Sequence, residues 1–161
     1  MDVVDPQTRS RMMSGIQGKN THPELVVRKG LHARGIRFRL HVSNLPGKPD
    51  IVLPKFRTVV FVNGCFWHAH RGCHLFKLPS SRIEFWQNKF ERNVQNDERA
   101  VNALANSGWR IAVVWECAVK NQKAEPMRCV LDKLSEWIKS GTLSSSIEFT
   151  HQGGPFPLGH N

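Results

Sequence analysis

Two apolar runs, Arg57-Thr-Val-Val-Phe-Val62 and Trp109-Arg-Ile-Ala-Val-Val-Trp115, stand on either side of a long stretch from Glu84 to Asn106. Runs this apolar, without alternation, read as strands covered on both faces. The stretch between them places Phe85, Trp86, Phe90, Val94, Val101, Leu104 and Ala105 at helical spacing and ends at Gly108. A strand buried on both faces needs a layer above and a layer below. The chain is thereby constrained to an α/β sandwich, a central mixed sheet flanked by helices.

The remaining segments fit that frame. Thr21-His-Pro-Glu24 reads as a capping box, with Thr21 over the free amides, Pro23 in the first turn and Glu24 reaching back to the Thr21 amide. The first helix is expected to run to about Arg34. Ile36–Val42 alternates apolar and polar residues and predicts a half-buried strand. Leu45-Pro-Gly-Lys-Pro is a turn that delivers Asp50 to the apolar Ile51-Val-Leu53. Pro126 opens a last helix with Val130, Leu131, Leu134, Trp137 and Ile138 inward and Gly141 past its end. Trp109 and Trp115 also read as core. Residues 1–20, polar with Arg9, Arg11, Met12 and Met13, read as a mobile basic arm. Residues 21–141 form a single domain, and the Ser-rich, then Gly/Pro-rich residues 142–161 a loose tail.

Charge narrows the partners. Of 23 Lys/Arg, 11 fall in residues 1–60 against 4 Asp/Glu, whereas residues 111–161 balance at 5 and 5. A basic front half suits a polyanion, usually nucleic acid, although a solvated basic surface gives the same composition. No apolar run is long enough to span a membrane, and the N-terminus lacks the pattern of a secretory signal. The expected location is the cytoplasm, where the four cysteines are ligands or core thiols rather than disulfides.

Residues 61–76 hold two of those cysteines, three histidines and a Phe-Trp pair. Cys65, His70 and Cys73 supply three soft ligands from one loop. Cys117, just past the Ile111–Trp115 run, can close a fourth position if the two apolar strands are neighbours. Thiolates plus imidazole in four-coordinate geometry describe a structural Zn2+ site. His68 and His74 compete for the same role, and Cys129, beside Val130, reads as a core thiol.

Asp50 after a Pro-containing turn, followed by a second apolar strand, is the frame of Pro-Asp…(Asp/Glu)-x-Lys nucleases, in which carboxylates hold Mg2+ against a phosphate. The second acid and the Lys are missing from Val60-Phe-Val-Asn63. A histidine must then activate water, and His68 is the favoured general base. Asp97, on the apolar stripe of the long helix, needs a partner. His68, a nearby Arg or a backbone amide would each serve.

Together, Leu45-Pro-Gly-Lys-Pro-Asp50, Gly64-Cys-Phe-Trp-His68, Leu75-Phe-Lys77, Glu84-Phe-Trp86, Gly108-Trp-Arg110 and Val114-Trp-Glu-Cys117 resemble the very-short-patch-repair (Vsr) DNA mismatch endonucleases. The likeness runs in order from about Thr8 to Trp137. It implies a variant of the restriction-endonuclease fold and a monomeric, Mg2+-dependent bacterial enzyme acting on double-stranded DNA. Such an enzyme nicks 5′ of the T in T:G mismatches left by deamination of 5-methylcytosine. A mismatch-repair coupling protein is a further candidate partner.

By this resemblance Asp50 and the backbone carbonyl of Val62 hold Mg2+. His68 is the base, Asp97 supports it, and Glu24 stands near the metal waters, a role compatible with capping. Cys65, His70, Cys73 and Cys117 hold Zn2+. Phe66, Trp67 and Trp86 become wedges beside the mismatch, with Met13 entering from the opposite groove. Lys89 and Asn93, one turn apart, are groove contacts, although Lys89 alone also reads as a solvated charge. Asn63 stands where relatives can carry a second histidine; it can hydrogen-bond a phosphate but cannot transfer a proton. A restriction-type or structure-specific nuclease of the same fold, and an inactive zinc-stapled DNA-binding module, are the competing readings.

Overall fold

The computed structural model describes residues 5–14, 19–120, 122–141 and 145–158, with the backbone alone for Arg9 and residues 12–14. Its strands are β1 (Ile51–Leu53), β2 (Thr58–Asn63), β3 (Arg110–Trp115), β4 (Ser146–Thr150) and β5 (Gly153–Phe156). They form one five-stranded sheet in chain order. The two outer pairings are antiparallel and the two inner ones parallel. β2 lies beside β3 with Val60 opposite Ala112 and Val62 opposite Val114. The mixed sheet is as expected.

Alternate residues of the central strands feed two cores. On one face Val60, Val62, Ala112, Val114, Ile147 and Phe149 pack under α2 (His22–Ala33) and α5 (Ala124–Ser140) through Val27, Leu31, Leu134, Trp137 and Ile138. On the other face Val59, Ile111 and Val113 pack against Leu104 and Val101 of α3 (Ile83–Asn106). Short α4 (Glu116–Val119) follows β3 directly. Among the described residues no helix is long and apolar enough to cross a membrane.

The Leu45–Pro49 turn is seated by Gly47, whose φ of +71° favours glycine. A Cβ there would lie 2.7 Å from that of Ala100 on α3. The turn is thus pressed onto the helix, and this fixes where Asp50 leads into β1.

Several expectations need correction. Ile36–Val42 is not a strand; it meets β1 at a single bridge, Arg39 with Val52, and His41 turns to φ +57°. Ile36, Phe38 and Leu40 still point into the core, which explains the alternation. The expected loose tail contains β4 and β5, with Phe149 fully buried. Cys129 is exposed, because α5 turns Val130 and Leu131 inward and leaves Cys129 on its outer side. Of the tryptophans read as core, Trp137 is buried, whereas Trp109 and Trp115 are half-buried. Within residues 1–20, Pro6–Ser14 forms α1, which contains Met13; the side chain of Met13 lies outside the described residues.

Candidate active site and metal centre

An open cleft of about 1000 Å³ runs over the ends of β1 and β2 and the start of α2. Glu24, Asp50, Asn63, Trp67, His68 and Asp97 all line it. They come from different elements, so the fold and not the local sequence brings them together.

Asp50 stands one residue before β1. Its Oδ2 accepts the Val62 N–H at 2.7 Å, so the Asp50 carboxylate and the Val62 peptide face each other across the strand pair. Burial pushes the Asp50 carboxyl up to about 6; the Val62 amide opposes that shift and the nearby Glu24 adds to it. A carboxylate crowded by burial and by a second acid is a ready place for a cation. Asn63 follows at the end of β2 and is buried.

Glu24 is 3% exposed at the first turn of α2. Thr21 caps the helix by accepting the Glu24 N–H at 3.4 Å. Glu24 does reach back, but to the amide of Asn20 rather than that of Thr21, at 2.9 Å. The box is displaced by one residue because Asn20 takes a φ of +57°. The same Glu24 oxygen accepts a hydrogen bond from Arg28 at 2.7 Å. Sequence reading had passed over Arg28. Its signal was the (i, i+4) spacing from Glu24 on one helix face.

His68 sits in the loop after β2, and its Nδ1 meets Asp97 Oδ2 at 2.6 Å. Of the partners open to Asp97, the structure selects the imidazole. The pair lies on the cleft rim, with side chains 31% and 38% exposed, not on a buried face as the helical stripe implied. An Nδ1–H held by a carboxylate leaves Nε2 as the basic nitrogen of a neutral ring.

Behind this loop, Cys65, His70, Cys73 and Cys117 bring their donor atoms within 4.8 Å of one another, and all four are buried. Cys65 Sγ and Cys117 Sγ each lie 3.5 Å from His70 Nδ1. The close Cys117 thiol, then burial, push the Cys65 thiol well above its ordinary range. Such thiols are strained as bare anions and relieved by a cation. Three sulfurs and an imidazole so placed fit a four-coordinate divalent metal. Backbone N–H groups steady the sulfurs, from Leu75 to Cys73 at 3.4 Å and from His151 to Cys117 at 3.2 Å. The His70 ring stacks on Trp115 at 4.1 Å, and the Trp115 indole N–H donates to Glu148 at 3.0 Å. His68 is outside this group. His74 joins only a second one, with Cys73 and His151.

Phe66 packs edge-on against Trp67, Trp86 and Phe90 at 5.1, 5.5 and 5.2 Å. Phe66 and Trp67 are half-buried beside the cleft, whereas Trp86 is 8% exposed beneath them. The Lys89 ammonium lies 5.6 Å from the Trp67 ring, and the Asn93 amide donates to the Trp67 carbonyl at 2.9 Å. Asn93, half-buried, therefore holds the aromatic loop. Phe85 is 45% exposed beside this cluster, contrary to its reading as part of the apolar stripe.

Comparison with known proteins converges on one group. The family described as DNA mismatch endonuclease Vsr matches residues 1–74. A type II nicking enzyme of Xanthomonas oryzae pv. oryzae, V.XorIIP, is 48% identical over 81% of this chain and 97% of its own length. The DNA mismatch endonuclease Vsr of Escherichia coli is 40% identical over 91% and 94%, respectively. The type II nicking enzyme V.NmeAIP of Neisseria meningitidis is 41% identical over 75% and 86%. With near full-length likeness to these enzymes, on top of a cleft that joins a carboxylate pair to a His–Asp pair, the chain belongs to the Vsr family of DNA mismatch endonucleases.

Proposed function

We propose that the protein nicks double-stranded DNA 5′ of the T in T:G mismatches, using Mg2+ in the cleft and Zn2+ in the Cys/His cluster, on a variant of the restriction-endonuclease fold. The observation that carries this reading is the His68–Asp97 pair opening onto the same cleft as Asp50. Hydrolysis of a phosphodiester needs a base for water and a positive charge near the phosphate, and the cleft supplies a place for each.

Asp50 and the Val62 carbonyl would hold Mg2+. Both are hard oxygen donors, and the Val62 amide leaves Oδ1 of Asp50 for a cation. When bound, the ion supplies charge against the phosphate oxygens. His68 takes the proton from the attacking water at Nε2. Asp97 keeps the ring oriented and stabilises the imidazolium that results. Glu24, near Asp50, would order water around the ion, and Asn63 would hydrogen-bond the phosphate. The four buried Cys/His donors hold Zn2+ and so staple the loop that carries His68 to the end of β3.

Phe66 and Trp67 act as the wedge beside the mismatched pair, where unstacking is cheapest. Trp86 supports them from below, Met13 enters from the opposite groove, and Lys89 and Asn93 approach the groove from α3. The protein acts as a monomer on DNA in the bacterial cytoplasm, and a mismatch-repair coupling protein is a candidate partner.

The test is nicking of end-labelled duplexes in Mg2+, one with a T:G mismatch and one with a matched T:A pair, across several flanking sequences. A single cut 5′ of the mismatched T, lost in Asp50→Ala, is expected. Equal cutting of matched DNA would instead identify a restriction-type nuclease. Binding without any cut would identify an inactive DNA-binding module.

A further inference from the structure

Glu24 is held in an unusual way. Both the Asn20 N–H, at 2.9 Å, and the Arg28 Nη2, at 2.7 Å, donate to the same oxygen, Oε2. Arg28 Nη1 also donates to the Asn20 side-chain oxygen at 2.7 Å. The guanidinium is thus a bridge across the start of α2. The Arg28 side chain is 11% exposed and that of Glu24 is 4% exposed. Arg28 Nε is buried with no partner among the described residues, so Glu24 and Asn20 supply the recorded hydrogen bonds of this cation.

Arg28 also faces the cleft, alongside Asp50 and Asn63. Glu24 stands close enough to Asp50 to oppose its ionisation, and Arg28 counters that effect at Asp50. A phosphodiester brought to this corner meets two negative groups, Glu24 and Asp50, on the wall that Lys19 and Lys48 also line. Juxtaposed like charges weaken binding strongly when they are partly desolvated.

We propose that Arg28 is a positioning residue of the cleft: it cancels the charge of Glu24 and pins that carboxylate through Oε2, leaving Oε1 without a partner among the described residues and letting a DNA phosphate approach Asp50. Arg28 acts through Glu24 and need not touch the reacting atoms. Its planar fork suits the task, because one guanidinium reaches Glu24 and Asn20 at once. The inference rests on the nuclease reading but is tested apart from it.

The experiment is a double-variant cycle on metal-free binding of a T:G duplex in EDTA, with nicking in Mg2+ measured in parallel. Arg28→Met keeps the stem and removes the charge. It is expected to weaken metal-free binding roughly tenfold, and adding Glu24→Gln is expected to restore it to within about twofold of the parent. Arg28→Lys, which keeps charge but not the fork, should preserve binding and slow nicking, with kcat falling more than KM rises. Thermal melting identifies any variant that fails to fold, and Arg28→Lys then carries the test. Unchanged binding in Arg28→Met, losses that simply add with Glu24→Gln, or full nicking by Arg28→Lys would each overturn the proposal. Coupling without wild-type nicking would overturn the nuclease reading and leave the Arg28–Glu24 clamp standing.

Discussion

Replacing Asp97 by Asn removes one charge from the His68 pair while keeping the shape of the side chain. The hydrogen bond is short, 2.6 Å, and becomes charge-assisted once His68 takes a proton. Bonds to charged groups contribute about 1.5–3 kcal/mol. Each 1.36 kcal/mol lost from the transition state is roughly tenfold in rate. Full loss would therefore slow the reaction by about 10- to 150-fold. The side chains are 31% and 38% exposed, so water screens part of the interaction and the lower end applies. The expected result is a single-turnover nicking rate about tenfold below wild type near neutral pH, with little change in melting temperature. A rate within about twofold of wild type would refute the assignment of Asp97 as the support of the base.

Other perturbations follow from the same geometry. Burial raises the Asp50 carboxyl to about 6 in the folded protein, so its ionised form costs stability above that pH, and the cost is relieved as pH falls toward the ordinary carboxylate range. Metal-free Asp50→Asn should accordingly be more stable than wild type by about 1–3 kcal/mol near pH 8, with the advantage gone by about pH 4, as read by chemical denaturation. If the Cys/His cluster holds zinc as proposed, Cys117→Ser should lower the zinc content, seen by elemental analysis, and the melting temperature; an unchanged metal content would remove Cys117 from the ligand set. Asn63→His should raise the nicking rate or shift its pH profile, and if both stay put the position is not catalytic here. Gly47→Ala should destabilise the fold by about 1–3 kcal/mol, since it adds both a strained φ and a clash with Ala100.

The sheet centre was readable because β2 and β3 carry a signal that few other structures produce: apolar residues on both faces, with an amphipathic helix between them. The ends of the chain were less readable. Residues 146–150, Ser-Ile-Glu-Phe-Thr, form a strand only because β3 offers an open edge beside them, and their Ser-rich surroundings mask this. Ile36–Val42 shows the opposite error, in which alternation was real but served packing against the core rather than pairing. At the site, the metal-type ligands were visible from residue type and spacing, and the closing role of Cys117 followed from one assumption about strand neighbours. Arg28 was not visible as a cleft residue, because an (i, i+4) charge pair on a helix usually faces water. Trp115 read as core, whereas half of its role is to stack on His70.

The last strands also set an order of events during synthesis. Cys117 receives its backbone hydrogen bond from His151, and Trp115, which backs His70, is tied to Glu148 on β4. A nascent chain can make β1, β2 and α3 early, but the support around the Cys/His cluster is complete only when residues near 151 have left the ribosome. The brace around the Cys/His cluster is therefore among the last parts of the fold to be completed as the chain emerges.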